Sequence, residues 1–306
     1  MGRQHGGVTV TIARTLTAAC EALAADPGAL VLAGGTDLMV EINRGGYTVD
    51  DVVVIDRVPE LQGWHREGDM LRLGATLTYA EMADPAFASL VPALAQAART
   101  VGSPQIRAAG TIGGNLATAS PAGDTLPVLA ALDAEVEIRS HQGHRTVPLD
   151  EFVIGVKANA LAPGELIAAI RVPVLDGPQE FLKVGPRNAM VISVASMALV
   201  VDRVGRTVRV GLGSVAPVPL RAIEAEVMIA ARLDWAGGRS PTIHDVERFA
   251  ELVAGATRPI DDHRGSADYR RHSIEVLARR ALIRAFGEPT PGPARTGGPS
   301  TATATR

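Results

Sequence analysis

Two glycine-rich stretches carry the residue types best suited to chemistry. The first is Ala33-Gly34-Gly35-Thr36-Asp37-Leu38; the second is Thr111-Ile112-Gly113-Gly114-Asn115, followed by Thr118-Ala119-Ser120-Pro121-Ala122-Gly123-Asp124. Paired glycines remove side-chain obstruction, so successive backbone amides can approach an anion in a turn or nest. The Thr, Ser and Asn side chains beside them can complete its hydrogen bonds, and such a cradle needs no lysine. Two loops of this kind suit a dinucleotide better than one. Neither is a GxGxxG opening a Rossmann helix, nor a GxxxxGK phosphate loop, which disfavours a kinase, a nucleotide hydrolase or a standard nicotinamide domain. A single Gly-Gly turn often has a purely structural origin; the pairing of two long motifs weakens that reading.

The remaining reactive side chains add little. His5 and His65 are isolated, His141 and His144 flank Gly143 without a complete ligand set, and His244, His263 and His272 lie among charged or turn residues, so no bound metal is expected. Asp37 and Asp124 sit in loops, where a carboxylate accepts hydrogen bonds and positions neighbours; no catalytic residue is expected in this chain. Cys20, in an Ala-rich segment, reads as a small buried side chain.

That single cysteine among 306 residues rules out a structural disulfide and a self-contained iron-sulfur cluster. A net charge of -3 gives no basic field for nucleic acid and no polybasic membrane footprint. No apolar run approaches the eighteen or so residues of a membrane span, and residues 1–7 lack a signal-peptide apolar region, so cytoplasmic residence is the default.

The elements that must hold the loops read as mixed α/β. Strands are expected at residues 8–12, 30–33, 52–55, 71–73, 136–139, 145–148 and 166–172, and helices at 16–25 and 87–98, with a turn at 79–82. Residues 101–127 are too rich in Gly, Pro, Ser and Thr for one regular element and read as a buried ligand loop. Turn residues at 173–178 mark a boundary, after which strands at 181–185, 190–201 and 208–213 precede helices at 221–231, 243–252 and 269–286. The arginines of the last helix are expected to face solvent or a partner. Residues 287–306 have almost no apolar bulk and are expected to be a disordered tail.

Both loops, with Ser120-Pro121-Ala122-Gly123-Asp124 and Pro127-Val128-Leu129, resemble the FAD-binding medium subunit of the molybdenum hydroxylases, the family of carbon monoxide dehydrogenase and xanthine dehydrogenase relatives. The resemblance runs from about Thr9 to Phe286. It implies an α+β chain: a vanillyl-alcohol-oxidase-like FAD-binding domain at 1–176, made of two α/β subdomains (about 1–57 and 58–176), and a smaller α+β flavoprotein C-terminal domain at 177–286. By the same carry-over, Ala33, Gly34, Gly35, Thr36, Asp37 and Leu38 lie along the FAD pyrophosphate. Thr111, Gly113, Gly114 and Asn115 approach from the other subdomain, Ser120 and Asp124 are polar contacts, and Lys183 is a cofactor contact, with Arg187 a weaker candidate. Ala108 stands where the family usually has asparagine.

The resemblance also implies partners: a small subunit with 2Fe-2S clusters and a large subunit with the molybdenum cofactor, in a heterotrimer or a dimer of heterotrimers. Electrons would reach FAD here and leave to an external acceptor. The alternatives are a standalone FAD-dependent oxidase and a nonenzymatic assembly module with a degenerate flavin site. Substrate, acceptor and interface residues are not legible in this sequence.

Overall fold

The computed structural model describes residues 8–46, 49 and 51–290. The chain opens with three parallel strands, Thr9–Ile12, Leu30–Leu32 and Asp51–Val54, the last lying in the centre. Parallel strands of one sheet need crossovers, and the helix Leu16–Ala25 supplies the one between the two outer strands, capped by Thr15, whose side chain accepts from the Ala18 amide. Ala19, Cys20 and Leu23 on that helix pack with Val53, Ile55, Val58 and Leu61. Leu166 and Ala168, from a strand far downstream, complete this core.

That strand, Leu166–Pro173, is the centre of a five-stranded antiparallel sheet in the order Trp64–Glu67, Met70–Gly74, Leu166–Pro173, Glu135–Ser140, Gly143–Pro148. Alternation decides its faces. Leu71, Leu73, Val136, Ile138, Ile170 and Val172 enter the main core. Arg72, Glu137 and Arg171 take the other face, where Arg72 Nε donates to Glu137 at 3.0 Å.

The helical layer differs from expectation at three places, each shaped by a helix start. The helix expected at 87–98 is two, Pro85–Ala88 and Pro92–Thr100, because Pro92 starts a helix at its first position and Val91 before it is non-helical. The expected ligand loop at 101–127 contains the helices Pro104–Ala109 and Ile112–Thr118 and the start of Thr125–Ala131. Ser103 and Thr111 cap the first two by accepting from the Ile106 and Gly114 amides, so hydroxyls that suggest a ligand serve as helix starts. The turn at 79–82 is a one-turn helix, Tyr79–Met82, closed by a Thr78/Glu81 capping box.

The C-terminal lobe is a four-stranded antiparallel sheet, Gln179–Val184, Ala195–Asp202, Thr207–Gly213 and Leu220–Arg221, followed by the helices Ile223–Ala230, Ile243–Gly255 and Ala267–Phe286. The central strand is buried on both faces. Ala198 and Val200 join the core of the preceding half, while Met197, Leu199 and Val201 pack on the lobe's own helices. It begins at Ala195, later than expected, because Met190 takes a left-handed φ of 49° and breaks extended geometry.

Not every arginine of the last helix faces outward. Arg270 is 3% exposed and donates to the carbonyls of Val194 (2.5 Å) and Ser214 (2.9 Å) and to Asp262 (2.6 Å), tying helix to sheet. Of the expected disordered tail, residues 287–290 are described, and Thr290 exchanges backbone hydrogen bonds with Pro241 and Ile243; residues 291–306 lie outside the described residues.

The two halves meet where Gly211 lies on the helix Thr125–Ala131: a Cβ built there would stand 1.8 Å from the Pro127 carbonyl oxygen. Gly211→Ala must push this strand off that backbone, and a loss of roughly 2–3 kcal/mol of unfolding free energy is expected in urea titration.

Candidate cofactor site

The first loop leaves the parallel sheet at the carboxyl end of Leu30–Leu32 and runs into the short helix Leu38–Asn43. Gly35 adopts φ +68°, which turns the chain. Gly34 has a different reason to lack a side chain: its Cβ would lie 1.7 Å from the Ala109 carbonyl oxygen, so the first loop and the end of the helix Pro104–Ala109 touch here backbone to backbone. Among the described residues, the amides of residues 33–38 donate to no protein acceptor, and residues 33–36 are half-buried. Asp37 does not cap its own helix; its carboxylate accepts from Thr118 Oγ1 at 2.7 Å across the cleft. From the helix that follows the loop, Glu41 accepts from Lys157 Nζ at 2.8 Å, a second clasp across long sequence distance.

The second loop is built the opposite way. Gly113 donates to the Ala75 carbonyl at 2.9 Å, Gly114 to Thr111 Oγ1 at 3.0 Å, and Asn115 to the Thr111 carbonyl at 3.0 Å. Its glycine amides are spent inside the fold, and Gly113 is needed because a Cβ would sit 2.6 Å from the Ala75 oxygen. The expectation that both glycine pairs offer amides to an anion therefore fits the first loop alone. What the second side keeps available is side chain. Asn115 accepts from Thr125 Oγ1 at 2.5 Å, which leaves its Nδ2 as a donor, and the half-buried Ser120 hydroxyl accepts only a long 3.4 Å contact from the Ala122 amide. Ala108 is exposed on Pro104–Ala109. This donor set suits a diphosphate: a run of unpaired amides on one wall, neutral polar side chains on the other, and a steric seam that excludes bulk between them.

Asp124 and Lys183 turn to each other. Lys183 Nζ donates to Asp124 Oδ2 at 2.6 Å, to the Thr100 carbonyl at 3.1 Å and to the Val191 carbonyl at 3.2 Å, using all three protons. Asp124 also accepts from Ser193 Oγ at 2.5 Å and from Thr100 Oγ1 at 3.1 Å. Side-chain exposure is 10% for Lys183 and 6% for Asp124, so this is a buried pair with every charge-bearing group matched. It fastens the C-terminal sheet to the flavin half. Thr100 and Ser193 escaped sequence reasoning because they lie in different elements far along the chain and carry no motif. Arg187 folds back on the carbonyls of Ala189 and Met190 and is exposed, as a turn residue would be.

Removing one member of such a pair leaves an unmatched buried charge. Lys183→Met is expected to cost about 3–5 kcal/mol of stability in guanidinium unfolding, and adding Asp124→Asn to recover part of that loss.

Two family profiles cover nearly the whole chain. One, described as "FAD binding domain in molybdopterin dehydrogenase", matches residues 6–175; the other, "CO dehydrogenase flavoprotein C-terminal domain", matches residues 180–285. The chain is 32% identical over 274 residues to the glyceraldehyde dehydrogenase medium chain of Sulfolobus acidocaldarius, covering 88% of this chain and 95% of that one. It is 30% identical over 263 residues to the carbon monoxide dehydrogenase medium chain of Hydrogenophaga pseudoflava, covering 84% and 89%. Among solved structures it superposes on the carbon monoxide dehydrogenase of Hydrogenophaga pseudoflava with a TM-score of 0.81 at 29% identity, and on quinoline 2-oxidoreductase from Pseudomonas putida 86 with 0.83 at 25%. Each covers 92% of this chain and 98% of the other. The α+β fold and the FAD cofactor that the resemblance implies are thus borne out. Among the described residues no helix is long and apolar enough to cross a membrane. The chain belongs to the family of FAD-binding subunits of the molybdopterin dehydrogenases.

Proposed function

We propose that this chain is the electron-transfer subunit of a multisubunit molybdenum-dependent oxidoreductase, working between iron-sulfur clusters in a small partner subunit and an external acceptor. Substrate oxidation belongs to a large partner subunit with the molybdenum cofactor. The supporting relatives are named as medium chains or FAD-binding subunits, one chain among several in their enzymes. A free, buried Cys20 suits a reducing compartment such as the cytoplasm.

The observation that carries the reading is the run of unpaired amides at residues 33–38, clasped against the second subdomain by Asp37–Thr118. Bound FAD would supply the exchange between single-electron and paired-electron chemistry. This chain's own residues do the rest. Ala33, Gly34, Gly35, Thr36 and Leu38 present amides, and Asp37 holds their loop closed with its carboxylate while adding its own amide. Asn115 and Ser120 offer side-chain groups from the opposite wall, and Thr111, Gly113 and Gly114 shape that wall. Asp124 and Lys183 fix the C-terminal lobe beside it. The working domain division is 1–176, with subdomains about 1–57 and 58–176, and 177–286. It is supported by the change of sheet between Leu166–Pro173 and Gln179–Val184.

Co-expression with its partners tests the assembly. The chain is expected to purify with a small iron-sulfur protein and a large molybdenum protein, and to release FAD on denaturation. Gly34→Ala, whose Cβ would force the seam open, is expected to lower FAD affinity by roughly tenfold or more, read as bound flavin per chain. Turnover of an organic substrate by the isolated flavin-loaded chain would instead make it a standalone oxidase.

A further inference from the structure

Tyr79 belongs to neither glycine motif, yet it lies under the seam where they meet. Its amide donates to the Gly110 carbonyl at 3.1 Å, and its neighbour Thr78 forms a β-bridge with Thr111. The ring packs beneath Gly110: a Cβ built on that glycine would come within 2.8 Å of a Tyr79 ring carbon. Gly110 follows Ala109, the residue whose carbonyl meets Gly34 of the first loop. One aromatic ring thus supports the backbone contact that joins both walls of the cofactor site.

The hydroxyl is the unexplained part. Tyr79 is 4% exposed, and among the described residues its hydroxyl has no protein partner. It is nevertheless absent from the partnerless polar atoms that are sealed from solvent, so the little surface Tyr79 keeps includes the hydroxyl. A tyrosine enclosed this fully normally finds a partner for its O–H. Here the ring is locked and the polar tip is left open. Burial pushes the phenol above its usual range, and the carboxylates of Asp124 and Asp37, one from each side of the site, push it further. The group therefore keeps its proton well into the alkaline range and acts as a donor.

We propose that Tyr79 is a cofactor-positioning residue whose hydroxyl donates a hydrogen bond to the diphosphate of FAD at the seam between the two loops. A neutral donor suits this place. Asp124 is matched by Lys183 and Asp37 is turned to Thr118, so an uncharged O–H adds attraction for the diphosphate without drawing either carboxylate out of its own bond. The inference rests on the FAD reading above.

Tyr79→Phe keeps the ring and deletes only a hydroxyl that no protein group uses, which separates a ligand role from a structural one. The full chain is stripped of flavin, titrated with FAD by fluorescence quenching, and competed with ADP, which carries the diphosphate without the flavin. Tyr79→Phe is expected to bind both FAD and ADP about tenfold more weakly, while the flavin-free protein melts at the same temperature or about 1–2 °C higher. Equal FAD affinity in the two proteins would overturn the inference and leave the flavoprotein reading standing. A loss for FAD with none for ADP would overturn the diphosphate assignment. A fall of several degrees in melting temperature would make Tyr79 a packing residue. Failure of the unsubstituted chain to take up FAD would overturn the reading beneath it, and the inference with it.

Discussion

The buried Lys183–Asp124 pair is the constraint around which the two halves are arranged. An ammonium and a carboxylate taken from water cost several kcal/mol each unless every lone pair and proton is matched. Here Thr100, Ser193 and the carbonyls of Thr100 and Val191 do the matching, drawn from a helix of the flavin half and a loop of the C-terminal lobe. The bonds from Lys183 and Ser193 to Asp124, and from Lys183 to the Thr100 carbonyl, form only when both halves are in place. The pair therefore specifies one docking geometry, and a sheet slipped by one residue would turn Lys183 away from Asp124 and strand both charges.

The apolar part of the junction obeys the same demand by different means. Gly34 against Ala109, Gly113 against Ala75 and Gly211 against Pro127 are places where two backbones come closer than any Cβ allows. The chain has 32 glycines and only 3% aromatic residues, a composition that permits thin elements to nest. Some glycines of the cofactor motifs are thus steric first. Gly113 in particular spends its amide on Ala75 and its missing side chain on the same residue, so its presence in the motif follows from packing as much as from any ligand.

This explains what was legible in the sequence. Strands with alternating or continuous apolar residues, and helices with clean ends such as Leu16–Ala25, declared themselves, and so did the position of both loops. Less visible was which hydroxyls were already committed. Thr111 and Ser103 look the same as letters whether they hold a ligand or cap a helix, and only the fold places the Ile106 and Gly114 amides over them. Partners such as Ser193 for Asp124, or Val194 for Arg270, depend on long-range register and leave no local trace. Arg270 is hidden for the same reason: helical periodicity marks it as polar, and nothing nearby in the sequence marks the carbonyls that receive it.

The strand Leu166–Pro173 serves two cores, giving Leu166 and Ala168 to the one around the parallel sheet and Ile170 and Val172 to the main one. As the chain emerges from the ribosome, the parallel sheet has its three strands and crossover helix early, but it lacks the two residues that close its interior. Its apolar surface stays open until the strand Leu166–Pro173 has been synthesised. The interior beneath the first glycine loop thus closes only after the chain has passed the second loop, so the two loops take their final places together.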